Sequence, residues 1–350
     1  MKAWYFENLS CVETDGWLFE EVLADVIPDQ EELELARQSI HENQVAAFLQ
    51  SVNEGTEFDK PYPRWRVFTD ERHPTVSVVD LNQDGFDDFY VQERHGKNLF
   101  FQNNGDGSFR EIADEIGLGI EGNTATSMFS DFDNDGDLDV FIGGTLRRSL
   151  IFENVDGRFV DKSGDWVPEE SLPYHTSSVS VVDINNDGLN DIYVSTYAAF
   201  YVRRAIKSLM GGRAVQSVDE SNNEVKGKDD RLVQLQPFLR EKDWETLLPM
   251  YHNAAEKSLL HRDRPGPPNV MLINVGGGKF EEQSLPDEVN VFKNTFQATF
   301  ADIDNDGDKD FYLANDFAPN FLFKNDGKGN FSDATGEAGV ADVGFGMGVT

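Results

Sequence analysis

Aspartates recur at alternate positions in four short stretches of the chain, each with a glycine at its sixth position. The stretches read DLNQDGFDD from Asp80, DFDNDGDLD from Asp131, DINNDGLND from Asp183 and DIDNDGDKD from Asp302. Carboxylates packed this densely repel one another, and a bound cation would relieve the repulsion. The chemistry to weigh is therefore a metal site, a catalytic carboxylate cluster or a plain polar turn.

The spacing within these four acidic loops (residues 80–88, 131–139, 183–191 and 302–310, here loops 1 to 4) favours the metal site. Oxygen donors at positions one, three and five, a backbone carbonyl at position seven and a carboxylate at position nine can surround one point. Glycine at position six permits a tight turn that a side chain would obstruct. Such a cage suits Ca²⁺, which takes about six to eight oxygens in loose geometry, better than Mg²⁺.

We therefore predict about four Ca²⁺ sites, with five ligating residues in each loop and the main-chain carbonyl as the donor at position seven. The predicted ligands are Asp80, Asn82, Asp84, Phe86 and Asp88; Asp131, Asp133, Asp135, Asp137 and Asp139; Asp183, Asn185, Asp187, Leu189 and Asp191; and Asp302, Asp304, Asp306, Asp308 and Asp310. Loops 1 and 3 have asparagine at position three, so we expect them to bind more weakly.

An EF-hand, a zinc site and a metal-free turn fit the loops less well. An EF-hand requires a glutamate at position twelve and flanking helices. Position twelve is Val91, Ile142, Val194 or Leu313, each inside a predicted strand. No histidine or cysteine lies in any loop, which disfavours zinc. A turn without metal accounts for one such loop, whereas four loops of this charge favour a cation.

The loops belong to a longer repeat, because their first aspartates are separated by 51, 52 and 119 residues. A second motif, NLFFQNNGDGSF from Asn98 and its relatives, starts 18 residues after the acidic loop in repeats one, two and four. In repeat three it starts 86 residues after the loop. The third repeat therefore contains an insertion, which we assign to residues 199–267 and predict to be helical, with its second helix interrupted at Pro249.

The sequence pattern of each repeat predicts two β-hairpins. Alternating runs such as TVSVVD precede the acidic loops, and apolar runs such as DVFIGG follow them. This pattern indicates strand–loop–strand, and the second motif adds another hairpin. Four strands in about 51 residues, repeated, indicate an all-β fold, a β-propeller of four-stranded blades. We assign residues 1–57 to a partly helical N-terminal appendage and residues 58–350 to a partial propeller of about four to five blades.

The composition limits the partners. The formal net charge is −34, which disfavours nucleic acid and anionic membrane surfaces. No apolar run is long enough for membrane insertion, and the N-terminal residues show no secretory signal. With one cysteine, Cys11, no intrachain disulfide can form.

The loops, together with RPGPPNVMLINVGGGKF, NDFAPNFLFKNDGKGNF and VGFGMGVT, resemble the FG-GAP repeats of integrin α-subunit propellers. They resemble bacterial VCBS/FG-GAP proteins of the ASPIC/UnbV type more closely. The resemblance implies a seven-bladed, Ca²⁺-binding propeller that serves in adhesion or ligand recognition at an extracellular, cell-surface or periplasmic location. Since four to five blades are fewer than seven, we expect this chain to be a fragment truncated at its C-terminus.

Three functions remain open. The first hypothesis is a non-catalytic, Ca²⁺-stabilised propeller that binds a protein or glycan. The alternative is a propeller-based carbohydrate-active enzyme, a hydrolase or lyase, with its site at the central channel or under the insertion. The third is a structural repeat domain. The six histidines show no ligand spacing or nucleophile motif, so we predict no catalytic residue. The aromatics of YAAFY (residues 197–201) and Trp244 could stack on sugar, although core packing is the simpler role for them.

Overall fold

The structure, a computed structural model, describes residues 26–31, 33, 75–92, 96–198, 236–257, 263–346 and 348. Most of the helix expected in the N-terminal appendage and the first half of the insertion lie outside these residues. The described part is mostly β, with four antiparallel sheets and a few helices.

Each sheet is one blade whose strands pair in chain order. Blade 1 holds β1 (Thr75–Val79), β2 (Asp88–Gln92), β3 (Leu99–Asn103) and β4 (Phe109–Glu111); blade 2 holds β5 (Thr124–Ser130), β6 (Asp139–Gly144), β7 (Leu150–Val155) and β8 (Arg158–Asp161). Blade 3 holds β9 (Thr176–Val182), β10 (Asp191–Thr196), β11 (Val270–Gly276) and β12 (Lys279–Glu282). Blade 4 holds β13 (Asn294–Ala301), β14 (Asp310–Pro319), β15 (Phe321–Asn325) and β16 (Phe331–Asp333), and β17 (Val343–Phe345) pairs with β14.

The helices are short except for one. They are α1 (Ala113–Ile116), α2 (Glu241–Glu256) and α3 (Thr335–Ala338), with 3₁₀ turns at Glu169–Ser171 and Gln236–Phe238. No helix in the described ranges is long and apolar enough to cross a bilayer.

The first strands of successive blades lie side by side. Strand β1 contacts β5, β5 contacts β9, and β9 contacts β13. Hydroxyl groups join these strands: Ser77 Oγ donates to the Ser127 carbonyl at 3.1 Å, and Ser180 Oγ donates to the Ala298 carbonyl at 3.2 Å. Four-stranded sheets that meet along their first strands are the blades of a β-propeller, which confirms the predicted fold class.

The hydrophobic core lies between the blades, and the second strand of each blade explains why. All six residues of β6 are buried. Val140 and Ile142 pack in the cluster shared with blade 1, and Phe141 packs in the cluster shared with blade 3. Side chains alternate across a strand, so a continuous apolar run is what a sheet covered on both faces requires.

The insertion interrupts blade 3 without breaking its sheet, since β10 and β11 pair with Ile192 opposite Leu272. Near its end, α2 packs Leu247 against Leu239 and Phe292. We expected Pro249 to interrupt this helix, and that was wrong, because Pro249 lies inside α2. Proline removes one backbone hydrogen bond, and the packing of Leu247 helps to offset that loss.

A buried arginine anchors the start of α2 to blade 3. Arg240 Nε lies 2.5 Å from Asp243 Oδ2, and Arg240 Nη1 lies 3.0 Å from Glu282 Oε1 on β12. Only about 4% of the Arg240 side chain is exposed. The start of α2 is therefore held against blade 3. The boundaries that we assigned to the insertion and to the N-terminal appendage stay predictions.

A second buried contact joins blades 3 and 4 at the end of the strands opposite the acidic loops. The Tyr197 hydroxyl donates to Asp316 Oδ2 at 2.5 Å, and both residues are buried. The Tyr197 ring stacks on Phe296 with centroids 4.4 Å apart. Trp244 packs against the cluster of Leu239, Leu247 and Phe292. Tyr197 and Trp244 therefore have core-packing roles.

Replacing Tyr197 by phenylalanine removes the hydroxyl that satisfies Asp316. We expect Tyr197→Phe to lower the free energy of unfolding by about 1–3 kcal/mol, because a buried acceptor is left without its donor. Urea unfolding followed by circular dichroism measures this change. Tyr174→Phe removes a hydroxyl from a half-buried tyrosine for which no such buried contact is seen, and is the matched control. Equal losses for the two variants would contradict the assigned role of Tyr197.

Candidate metal centre

The four acidic loops join the first and second strands of their blades and share one backbone conformation. The backbone N–H at position five donates to Oδ1 of the first aspartate, at 3.0 to 3.2 Å in all four loops. The N–H at position six donates to Oδ2 of the same aspartate, at 2.9 to 3.1 Å. The loop backbone is therefore wrapped around the carboxylate of its first aspartate.

The glycine at position six is required for a reason different from the one we expected. Its φ is +89°, +101°, +87° and +98° in loops 1 to 4, and an added Cβ would meet no atom within 4 Å. A side chain there would not obstruct the turn. The constraint is the backbone conformation, which L-amino acids with side chains rarely adopt.

Position four also has a left-handed backbone, a feature that we missed in the sequence. Its φ lies between +56° and +64° in the four loops. The residues at this position are Gln83, Asn134, Asn186 and Asn305. Asparagine tolerates this region better than most residues, so the repeated asparagine was the available signal.

The ninth aspartate is fully buried in every loop and accepts two backbone hydrogen bonds. One oxygen accepts from the N–H at position two, at 2.9 to 3.2 Å. The other accepts from the N–H of an asparagine at the end of the third strand, or in β11 near its end, at 2.8 to 2.9 Å. These aspartates are Asp88, Asp139, Asp191 and Asp310. The aspartate at position nine therefore holds the loop to the third strand of its blade, and it also faces the other acidic residues of the loop.

The asparagines of the third strands are functional residues that sequence reasoning did not single out. They are Asn103, Asn154, Asn274 and Asn325, and each side-chain Oδ1 accepts an N–H of the following turn. Each Nδ2 donates to the carbonyl at position eight of its own loop. Their recurrence in the second motif was the signal.

In the last two blades the same amide reaches the preceding blade. Asn274 Nδ2 lies 2.8 Å from the Phe132 carbonyl, and Asn325 Nδ2 lies 2.7 Å from the Ile184 carbonyl. Phe132 and Ile184 occupy position two of loops 2 and 3. The acidic loops of blades 2, 3 and 4 are therefore connected along one face of the propeller.

The structure brings carboxylates together in two loops. Oxygen atoms of Asp131, Asp133 and Asp139 lie within 4.8 Å of one another, as do those of Asp302, Asp304 and Asp310. These are positions one, three and nine of loops 2 and 4. The carboxylates at position five are not part of either group, and the main-chain carbonyl at position seven stays a prediction. The fifth carboxylates instead accept the N–H at position seven, at 2.8 to 3.1 Å.

Loops 1 and 3 differ because asparagine occupies position three. Asn82 Nδ2 donates to Asp84 Oδ2 at 2.9 Å, and Asn185 Nδ2 donates to Asp187 Oδ2 at 3.0 Å. An amide that donates inside the loop does not repel the carboxylates. These loops need a cation less than loops 2 and 4 do.

In loop 2, burial and the neighbouring carboxylates raise the pKa values of two aspartates. Burial, reinforced by Asp133 and Asp137, raises the pKa of Asp139 to about 7. Burial and the carboxylates of Asp135 and Asp133 raise the pKa of Asp137 to about 6. Asp137 Oδ1 is buried without a hydrogen-bond partner among the described residues. Hard oxygen donors and an unsatisfied carboxylate oxygen fit a divalent cation such as Ca²⁺.

His175 shows that a buried titratable group also lies away from the loops. It precedes β9, at the end opposite loop 3, with φ +58°. Neither ring nitrogen has a hydrogen-bond partner within the described part of the chain. Burial lowers the pKa of His175 to about 4, so the ring is neutral near pH 7. The structure does not bring it to the acidic loops.

Comparison with known proteins identifies two of the repeats. A sequence profile described as FG-GAP-like repeat matches residues 80–142 and 131–194. The predicted resemblance to FG-GAP repeats is therefore confirmed for blades 1 and 2. The ASPIC/UnbV type stays a prediction.

Curated relatives cover much of the chain at low identity. Cartilage acidic protein 1 of Homo sapiens is 24% identical over 250 residues, which is 61% of this chain and 34% of that protein. The proteins of that name from Mus musculus and Xenopus tropicalis are also 24% identical. The chain thus matches about a third of the length of these relatives.

One solved structure shows a distant likeness. It describes an Agrocybe aegerita lectin that recognises non-reducing terminal N-acetylglucosamine. The TM-score is 0.32 and the identity 16%, over 75% of this chain and 65% of the lectin chain. A likeness this weak supports no conclusion about ligands.

The loop geometry assigns different roles to positions nine and five of loop 4. We expect Asp310→Asn to lower the free energy of unfolding in EDTA by about 1–3 kcal/mol, because its amide nitrogen would face one of two N–H donors. Asp306→Asn keeps an oxygen for its single N–H partner, so we expect a change below about 0.5 kcal/mol in EDTA. Denaturant unfolding measures both. The two roles would be wrong if both variants lost equal stability in EDTA.

Proposed function

We propose that this chain is a non-catalytic, Ca²⁺-binding β-propeller that recognises a protein or glycan ligand at an extracellular, cell-surface or periplasmic location. The observation that carries the proposal is the repeated loop geometry. Four loops wind in the same way around their first aspartate, and in two of them three carboxylates converge within 4.8 Å. The matched FG-GAP-like repeats support the same proposal.

The cation would act on the stability of the blade. In loop 2, Asp131, Asp133 and Asp139 would hold it, and its charge would offset their repulsion. Since Asp139 also binds the N–H groups of Phe132 and Asn154, a bound cation would fix the loop to both neighbouring strands. With its raised pKa, Asp139 is partly protonated near pH 7, so Ca²⁺ would displace a proton there.

Ligand recognition is proposed for the end of the propeller opposite the loops. The connection between β10 and β11 leaves blade 3 at that end and carries the insertion, whose α2 is anchored by Arg240. Loops positioned by a rigid scaffold commonly carry binding function. Four Ca²⁺ ions would reduce the net charge from −34 to about −26. A neutral or basic partner therefore fits better than an anionic one.

The carbohydrate-active enzyme gains no support from the described residues. The two groups of clustered metal-ligating side chains in the part that the structure describes both belong to acidic loops. Their carboxylates are engaged in winding the loop and clasping the blade. We therefore propose a binding role.

Calcium should stabilise the folded chain. Extracellular Ca²⁺ modules bind with dissociation constants of about 10⁻⁴ to 10⁻³ M. At about 10 mM Ca²⁺ and a dissociation constant of about 1 mM, linkage gives about 1.4 kcal/mol per site. We expect a higher melting temperature in Ca²⁺ than in EDTA, and a smaller gain with Mg²⁺. An unchanged melting temperature, together with no calcium by elemental analysis, would refute the Ca²⁺ proposal.

Ligand recognition is tested with a glycan array and a set of basic and neutral extracellular proteins, each probed in Ca²⁺ and in EDTA. We expect selective binding to one ligand class in Ca²⁺. A variant with Asp131→Asn and Asp302→Asn, which disables loops 2 and 4, should bind the ligand more weakly in Ca²⁺ than the wild-type chain does. Hydrolysis or elimination of any bound glycan would overturn the non-catalytic proposal.

A further inference from the structure

Loops 2 and 4 carry aspartate at the same five positions, but they differ in the residue that approaches them from the third strand. This residue immediately precedes the repeated asparagine. It is Glu153 on β7 in blade 2 and Lys324 on β15 in blade 4. The two loops therefore have opposite charges beside the same set of carboxylates.

Lys324 forms an ion pair with one of the clustered carboxylates of loop 4. Its Nζ lies 3.2 Å from Asp304 Oδ2, and each side chain is about one-third exposed. Asp304 is position three of loop 4, and its carboxylate lies with those of Asp302 and Asp310. An internal cation therefore already sits on an oxygen that a bound metal ion would use.

Blade 2 has the opposite arrangement. Glu153 occupies the same place beside loop 2 as Lys324 does beside loop 4, because the next residue, Asn154, donates from Nδ2 to the Leu138 carbonyl of loop 2 at 3.3 Å, as Asn325 does to the Lys309 carbonyl of loop 4 at 3.2 Å. The lysine of this blade, Lys162, places its Nζ 2.8 Å from Glu153 Oε2. The ion pair in blade 2 thus forms beside the loop and leaves Asp133 available to a cation.

We propose that this third-strand position sets the order in which loops 2 and 4 take up Ca²⁺, with loop 2 binding more tightly than loop 4. The inference rests on the proposed Ca²⁺ function and deepens it. A Ca²⁺ ion entering loop 4 must separate Asp304 from Lys324 and then remain near a positive charge. An ion entering loop 2 meets the Glu153–Lys162 pair instead, in which the ammonium group is held by a carboxylate outside the loop and not by a predicted ligand.

Lys324 also has a role when calcium is scarce. An ammonium group on Asp304 offsets part of the repulsion within loop 4, so this loop depends less on Ca²⁺ for its stability. Loop 2 has no such substitute on Asp133 among the described residues. The propeller would therefore respond to Ca²⁺ in two stages, first at loop 2 and then, at higher concentration, at loop 4.

The test removes the internal cation from the full-length chain. Calorimetric Ca²⁺ titrations are made with Asp131→Asn present throughout, so that loop 2 is disabled and loop 4 is the tightest remaining site. We expect Lys324→Gln to tighten that site about three- to tenfold, from the loss of one ion pair and of one nearby positive charge. Lys324→Arg keeps the charge and should leave the affinity within about twofold of the parent.

Lys328→Gln is the matched control. Lys328 lies four residues further along, in the exposed turn after β15, and no ion pair to loop 4 is seen for it. The Lys328→Gln variant loses the same positive charge as Lys324→Gln but breaks no ion pair with loop 4. If Lys328→Gln tightened the site as much as Lys324→Gln, the effect would come from net charge alone and the proposal would be overturned.

Melting in EDTA gives a second readout that does not depend on Ca²⁺. Lys324→Gln should lower the melting temperature in EDTA yet show a larger rise on adding Ca²⁺, whereas Lys328→Gln should match the parent in both. If all chains bind Ca²⁺ but Lys324→Gln changes neither the affinity nor the melting temperature, this inference alone would be overturned. No Ca²⁺ binding by any chain would overturn the proposed function, and this inference with it.

Discussion

Each blade of this molecule depends on a buried carboxylate that accepts two backbone N–H groups. The ninth aspartate of the acidic loop begins the second strand and is fully buried. Burying an unpaired charge is costly, and two N–H donors compensate this one. In blade 2 those donors are Phe132 at the start of the loop and Asn154 on the third strand. A single aspartate side chain thus connects the acidic loop, the first and second strands that the loop joins, and the third strand beside them.

The buried ninth aspartate lies at the boundary between the charged acidic loops and the apolar interior of the blades. The second strands of blades 2 and 3, β6 and β10, are buried on both faces. Each second strand begins at a loop with three to five carboxylates. Because the asparagines of blades 3 and 4 bond to the loops before them, the acidic loops are held together along one face. Repulsion is therefore built into that face, and a bound cation would relieve it at every loop it occupies.

The opposite end of the blades combines a repeated contact with individual ones. The residue that opens the second motif bonds a threonine near the start of the next blade's first strand, as in Asn98 with Thr124, Ser149 with Thr176 and Asn269 with Thr295. Other contacts there are individual: Tyr197 with Asp316, and Arg240 with Asp243 and Glu282. Nothing in the repeat requires these residues, so blade 3 can carry an insertion while β10 and β11 stay paired.

The strands and loops were predictable because their signals are local. Period-two alternation, turn residues and the interval of 51 or 52 residues lie within short stretches of the chain. Position four of the loop and the third-strand asparagines were also visible as repeated residues, but their roles were not. The continuity of α2 through Pro249 contradicted a sound local rule, because its packing against Leu239 and Phe292 outweighs the effect of one proline.

The sequence by itself determined the period, the strand pattern and the oxygen-rich character of the loops. Only the tertiary structure decided which carboxylates converge, that the ninth one clasps the blade, and that Lys324 and Glu153 approach equivalent loops with opposite charges. The physical reason is distance along the chain. The contacts between strands join Asn154 to Asp139, 15 positions apart, and Asn274 to Phe132 in the preceding blade, 142 positions apart, and they form only once the blades are paired and packed.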